Sequence, residues 1–260
     1  AMFAKAELAT AMPKAGGVYF FIERSMGAPV GTIGGLASWF SLSLKSAFAL
    51  VGIGIFATLI TPGITELQIK VIAVACCLFF MIVNIIGVKE TGRLQAMLVI
   101  SLLVILTIYV IKGFLSIQVD RYIPFAPFGV GSIVSTAGLI FVSFGGLTNV
   151  CCVAEEVKNP GKKIPLGMFL AFVVVMFFYA SVLFVTVGLL NPQDLSTSRI
   201  PISLGASTFM GTAGSILVAV AGLLAFVSTA NAGILTASRN TMAMSRDQLL
   251  PKFFQSIAVK

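Results

Sequence analysis

Gly131-Ser-Ile-Val-Ser-Thr-Ala-Gly-Leu-Ile-Phe-Val-Ser-Phe-Gly-Gly-Leu-Thr-Asn-Val150, continued by Cys151-Cys-Val-Ala-Glu-Glu-Val-Lys-Asn-Pro160, is an apolar run with two adjacent glycines inside it. A helix that crosses a bilayer needs ~20 mainly apolar residues, and this run supplies them. Gly145-Gly146 falls in its interior, with Ser143, Thr148 and Asn149 close by. Each glycine costs about 1 kcal/mol against alanine in a helix. Two in a row beside polar side chains are the weakest point of the span. Two readings follow. Small residues let helices pack closely in a membrane bundle. Alternatively, the helix opens here, which lipid tolerates only where the backbone lines a cavity or is buried in protein. In the second reading, a first half ending near Ser143–Phe144 points its negative end at the break. A second half beginning near Leu147 offers N–H groups and a positive end. A zwitterion fits between them.

The rest of the chain has the same solvent. Of its 260 residues, 58% are hydrophobic and only 10% charged, whereas a soluble domain carries about 25% charged residues. Beyond the Ala1–Met12 stub, spans are expected at about Thr32–Leu59, Gln68–Val88, Leu94–Ile111, Ser132–Ala154, Ile164–Leu190 and Gly211–Ser238. Residues 13–31 read as a cytoplasmic loop. Apolar character persists for about 20 positions at a time, which excludes the alternating ~10-residue strands of a barrel. The class is therefore an all-α, polytopic membrane protein.

Alternate connections fall on opposite sides of the bilayer. One side receives Lys14, Arg24, Lys89, Arg93, Lys158, Lys162, Lys163, Arg239, Arg246, Lys252 and Lys260. The other receives only Lys70, Lys112, Arg121 and Arg199. The basic side is cytoplasmic by the positive-inside rule. The net charge of +8 is thus spread over connections and forms no nucleic-acid face. Ala1–Ala11 carries Lys5 and Glu7 and no signal-peptide pattern. It enters from outside, so at least one helix is expected before it.

Two further features stand out within the spans. Phe226-Val-Ser-Thr-Ala-Asn-Ala-Gly233 places Ser228, Thr229 and Asn231 near mid-span. They suit an ion site or proton relay; equally, serine and threonine bond back to their own helix. Lys45 is the only charge between Arg24 and Glu66. It reads either as a proton carrier or as a structural lysine bonded to carbonyls or reaching for the interface. Glu23, Glu90, Glu155, Glu156 and Asp247 sit at span ends with basic neighbours and read as interfacial ion pairs. Absence of histidine removes His-rich zinc sites and Ser-His-Asp triads. The cysteines, Cys76-Cys77 and Cys151-Cys152, show no CxxC spacing and read as packing residues. No nucleophile–base pair is visible, so an enzyme is not expected, and no cofactor is called for.

Three motifs carry a resemblance. Glu155-Glu156-Val-Lys-Asn-Pro160 followed by Lys163-Ile-Pro-Leu166 resembles the end of the sixth helix of the amino acid–polyamine–organocation (APC) permeases. Glu7-Leu-Ala-Thr-Ala-Met-Pro-Lys-Ala-Gly-Gly-Val-Tyr19 resembles the end of their second helix. Ser238-Arg-Asn-Thr-Met-Ala-Met-Ser-Arg-Asp247, with Leu250-Pro251, resembles the cytoplasmic end of their eighth. The order and spacing match, so the chain is expected to cover helices two to eight of twelve, with the first helix and the last four outside it.

The resemblance implies an incomplete LeuT-like inverted-repeat bundle in the cytoplasmic membrane, moving an amino acid by alternating access. It implies carbonyls of Phe141, Val142, Ser143, Phe144 and Gly145 for the substrate amine, with Phe144 as an aromatic gate or pocket wall. Gly146 belongs to the same break, and Leu147 and Thr148 would shape the side-chain pocket. Ser228 and Thr229 match a region used for sodium or a proton-linked counterpart. Two departures bear on this. Gly146-Leu147-Thr148 stands where many members carry Gly-Phe-Asp, which lowers support for a cationic substrate and favours a neutral one. Leu94–Ile111 lacks the lysine that some proton-coupled members carry in their fifth helix. A membrane-embedded sensor or a seven-helix receptor remains the competing reading; a retinal protein is disfavoured because Ile200–Ser238 holds no lysine.

Overall fold

The computed structural model describes residues 2–12, 14–60, 63–198 and 200–255, so Ala1, Pro13, Arg199 and Lys260 lie outside the described residues. The described chain is helical, with no strand among the described residues. The elements are α1 (Met2–Ala11), α2 (Val18–Met26), α3 (Ala28–Ile60), α4 (Glu66–Ile86), α5 (Val88–Phe114), α6 (Gly129–Ser143), α7 (Pro160–Leu189), α8 (Pro192–Thr197) and α9 (Pro201–Arg246). Short 3-10 turns occupy Val119–Tyr122 and Lys252–Gln255, and a long 3-10 segment, Phe144–Glu156, continues α6. Among the described residues, six stretches are long and apolar enough to cross a membrane: Ala28–Gly54, Glu66–Ile86, Glu90–Phe114, Gly129–Cys152, Pro160–Leu189 and Pro201–Arg246.

Local chemistry sets the boundaries. Thr65 caps α4 in a capping box: its hydroxyl accepts from Gln68 N–H while the Gln68 side chain accepts from Thr65 N–H. Asn159 adopts the left-handed conformation and hands the chain to Pro160 at the first turn of α7. Gly211 interrupts α9 with φ 63° and ψ −159°, a conformation suited to glycine, so α9 is two rods, 201–210 and 212–246. Only the second is the span expected from Gly211 onwards, and it runs past Ser238 to Arg246.

The sequence reading placed residues 13–31 in a loop, and this is corrected. Val18–Met26 is helical, buries Tyr19, Phe20 and Phe21, and α3 already begins at Ala28. A nine-residue helix is too short to be found as a span, and Glu23 and Arg24 give it a polar face. α5 likewise begins at Val88 and reaches Phe114, beyond the Leu94–Ile111 core of apolar residues.

α9 is the central post. It packs on α3 from Gly35 against Met244 to Phe56 against Gly222, and on α5, while α1 lies on α7. Without a hydrophobic force between helices in lipid, close approach of backbones provides the attraction. Glycines allow it here. A Cβ on Gly52 would meet the Phe226 ring at 2.6 Å, and one on Gly35 would meet Tyr19 at 2.7 Å. Gly222 faces Phe56 and Gly233 faces Ser46 just as closely. Three buried clusters follow: Ala49, Leu50, Ile53, Phe80 and Ala230 between α3, α4 and α9; Tyr109, Val185 and Ala206 between α5, α7 and α9; and Tyr19, Phe20, Cys151, Met168 and Met244 at the end carrying most of the positive charge. Gly233→Val drives a side chain into Ser46 and the α3 backbone. We expect it to destabilise the fold by about 1–3 kcal/mol, read as a lower melting temperature of the detergent-purified protein; an unchanged melting temperature would show that α3 and α9 are not held together there.

Candidate functional site

The span singled out by Gly145-Gly146 changes character at that point. The α-helical ladder of α6 ends at Ser143, and Phe144–Glu156 continues as a 3-10 helix of 13 residues. Runs beyond three or four residues are uncommon, and a 3-10 stretch within a helix marks a hinge or strain. Changing from i−4 to i−3 bonding skips a backbone carbonyl, so the switch frees an acceptor from the ladder. The sequence reading expected an open segment followed by a fresh helix from Leu147. That is corrected: the chain narrows instead of opening. Neither Gly145 nor Gly146 has positive φ. Glycine here removes side chains, and the left-handed region is not used.

The two halves of this span differ in their surroundings. From Gly129 through Phe141, α6 is exposed, whereas Cys151, Cys152 and Ala154 are buried. A Cβ on Gly17 would lie 2.7 Å from the Cys152 Sγ, so the inner half is pinned by the turn before α2. Phe141 and Ser143 are exposed, Phe144, Gly146 and Leu147 half-buried, and the side chains of Val142 and Thr148 lie outside the described residues. The Phe144 ring packs on two rings of α7, Phe172 at 5.7 Å and Tyr179 at 5.3 Å. Across the break stands α3: a Cβ on Gly146 would be 3.1 Å from the Lys45 Nζ. Lys45 itself is exposed.

The polar residues of α9 form a separate centre. Ser228 is 8% and Asn231 0% exposed, so both sit inside the bundle. Gln95 of α5 joins them: its Nε2 donates to Ser228 Oγ, and its Oε1 accepts from Asn231 Nδ2 at 3.2 Å. Asn84 of α4 donates from Nδ2 to Asn231 Oδ1 at 3.1 Å and to Phe80 O at 2.7 Å. Ser228 thus accepts from a neighbouring helix. Thr229 is half-buried on the same turn. Sequence reading found Ser228, Thr229 and Asn231 as a cluster but missed Gln95 and Asn84. Each is an amide inside a membrane span with apolar residues on both sides, which is the signal that was there to use.

At the end opposite Phe125 and Phe128, charged residues tie three elements together. Arg246 of α9 bonds Glu155 at 2.8 Å, and Tyr19 of α2 donates to Asp247 Oδ2 at 2.8 Å. Arg93–Glu90 and Arg24–Glu23 are local pairs at 2.8 and 3.4 Å. Among the described residues no group of three His, Cys, Asp or Glu side chains could hold a metal ion.

Residues 1–260, the whole chain, match the amino acid permease family. The chain belongs to that family. Relatives of this chain include an uncharacterized protein of Methanocaldococcus jannaschii, 28% identical over 240 residues that make up 90% of this chain and 55% of the relative. The methylthioribose transporter of Bacillus subtilis is 32% identical over 172 residues, 66% of this chain and 37% of that protein. The vacuolar cationic amino acid transporter 4 of Arabidopsis thaliana is 30% identical over 283 residues, 97% of this chain and 45% of its own. The chain spans about half the length of the curated relatives it matches. Family and spans together make it a multi-pass membrane protein of the amino acid permease family.

The Glu155 pair has a pH signature. Burial by itself would raise the Glu155 carboxyl, but hydrogen bonds from Arg246 and from the Ala15 backbone, with the charges of Arg246 and Lys14, outweigh it and hold it below its ordinary value. Burial, then the hydrogen bond to Asp247, push the Tyr19 phenol above its ordinary range, so it remains a donor. A carboxyl depressed by folding stabilises the fold above its unfolded pKa and loses that effect as pH falls through the folded value. Glu155→Gln should therefore lower the melting temperature at neutral pH and flatten its decline on acidification below the ordinary carboxylate range. Identical declines in both proteins would remove the pair from the acid response.

Proposed function

We propose that this chain is the helix-two-to-eight portion of a secondary active transporter that moves an amino acid across the cytoplasmic membrane by alternating access. The observation that carries the reading is the end of the α-helical ladder at Ser143, immediately before Gly145-Gly146 and inside a membrane span. A carbonyl left out of the ladder at that depth needs a donor, and a solute ammonium group is one. Within Phe141 to Gly145 the carbonyl freed at the switch supplies the acceptor, Phe144 forms an aromatic wall with Phe172 and Tyr179, and Gly146, Leu147 and Thr148 shape the remainder of the pocket. The absence of a carboxylate at residues 146–148 favours a neutral side chain.

Coupling to sodium or protons belongs in this reading to Ser228 and Thr229, with Asn231 holding Ser228 in place through Gln95. Those oxygens are hard ligands suited to a small cation. The role is transport and not catalysis, and the reading needs no cofactor.

A sensor that binds an amino acid without moving it is the competing function. Vesicles containing the full-length protein should accumulate a labelled neutral amino acid; saturable binding with no accumulation would favour the sensor. Gly146→Leu fills the break and should abolish uptake while leaving membrane insertion intact; uptake at the wild-type rate would remove the substrate from this position. Thr229→Ala should change the sodium or pH dependence of uptake, and an unaltered dependence would take Thr229 out of coupling.

A further inference from the structure

Lys45 is a cation in the interior of a membrane span, and the described chain gives it no counter-charge. None of the nine acidic residues lies inside the six spans beyond their terminal turns. The ion pairs of Arg24, Arg93 and Arg246 with glutamates do not include Lys45. A charge at this depth is costly unless it pairs or faces a polar cavity. The fold brings its ammonium to one place: the surface of Gly146, where the absence of a side chain lets the Nζ approach. That is three residues past the end of the α6 ladder. The partial negative charge of a helix C-terminus favours a cation there, but carbonyl dipoles supply only a fraction of a full counter-charge. Two of the ammonium's three donors are left for something else if one meets a carbonyl.

Resting on the permease reading above, we propose that Lys45 is the charge-selecting residue of the substrate site. Its ammonium takes a carboxylate of the solute, so the site accepts amino acids of zero or negative net charge and rejects those with a cationic side chain. The geometry gives Lys45 this role in preference to proton carriage with Ser228 and Asn231: its Nζ meets the break, while those residues are bonded to α4 and α5. One sequence feature agrees: residues 146–148 offer no carboxylate to a cationic side chain. The α-ammonium of a zwitterion is offset by the carboxylate held on Lys45, whereas the additional cation of a basic side chain has no such partner and is repelled at low dielectric.

The test is uptake of labelled alanine, glutamate and arginine by vesicles containing the full-length protein, in wild type and in Lys45→Gln, Lys45→Glu and Lys45→Arg variants. Wild type should take up alanine or glutamate at least about ten-fold better than arginine, the size of effect that one charge-assisted hydrogen bond supports. Lys45→Gln should shrink that ratio by about ten-fold, Lys45→Glu should move arginine ahead of glutamate, and Lys45→Arg should keep the wild-type order. Arginine uptake matching alanine and glutamate in wild type overturns the proposal without touching the permease reading, and does so even where a variant fails to insert. An unchanged preference in inserted Lys45→Gln and Lys45→Glu overturns it in the same way. No uptake of any of the three, nor of other amino acids, overturns the permease reading and this inference with it.

Discussion

Lipid offers no hydrogen bonds, so each peptide group that enters it must be satisfied by the protein. Most of this molecule obeys that constraint in the simplest way, as uninterrupted α-helix. Gly211 interrupts α9, and the change of ladder at Ser143–Phe144 is conspicuous for the same reason. A change of ladder inside a span is tolerated where neighbouring groups compensate, and the neighbours here are specific. Aromatic rings of α7 cover one side, the Lys45 ammonium of α3 stands on another, and the buried Cys151–Cys152 pair anchors the inner half against the turn before α2.

α9 gives those neighbours a fixed frame. Its glycines admit Phe56 and Ser46 of α3 to its backbone, and its buried amide joins α4 and α5 through Asn84 and Gln95. Interhelical amide bonds in membranes are individually modest, about 0.6 kcal/mol on average. Their value here is register: Asn231 uses its carbonyl on one helix and its amino group on another, which fixes rotation as well as distance. α3 is thereby held at a depth where Lys45 reaches Gly146.

Much of this was legible in the sequence. Twenty-residue apolar runs give helices and sidedness because bilayer thickness fixes their length, and Gly145-Gly146 beside Ser143 locates the weak point. Other features were hidden for physical reasons. α2 is too short for a length criterion. Whether a weakened helix opens or tightens into a 3-10 ladder depends on what packs on either end, which is tertiary information. Gln95 and Asn84 each have apolar residues on both sides, and only the fold shows that they meet Asn231. Lys45 was visible as an anomaly, but its neighbour lies about a hundred positions away in sequence, and its placement at the break comes from the α3–α9 packing.

The tightened ladder also stores length. A 3-10 helix rises ~2.0 Å per residue and an α-helix ~1.5 Å. Over the 13 residues from Phe144 to Glu156 the difference is ~6 Å, accompanied by roughly 20° of winding per residue. Any return of this segment to α geometry would draw Glu155 toward the bilayer centre and turn it like a screw. Because Arg246 grips Glu155 from α9, such a shortening must either break that grip or pull α9 along its own axis.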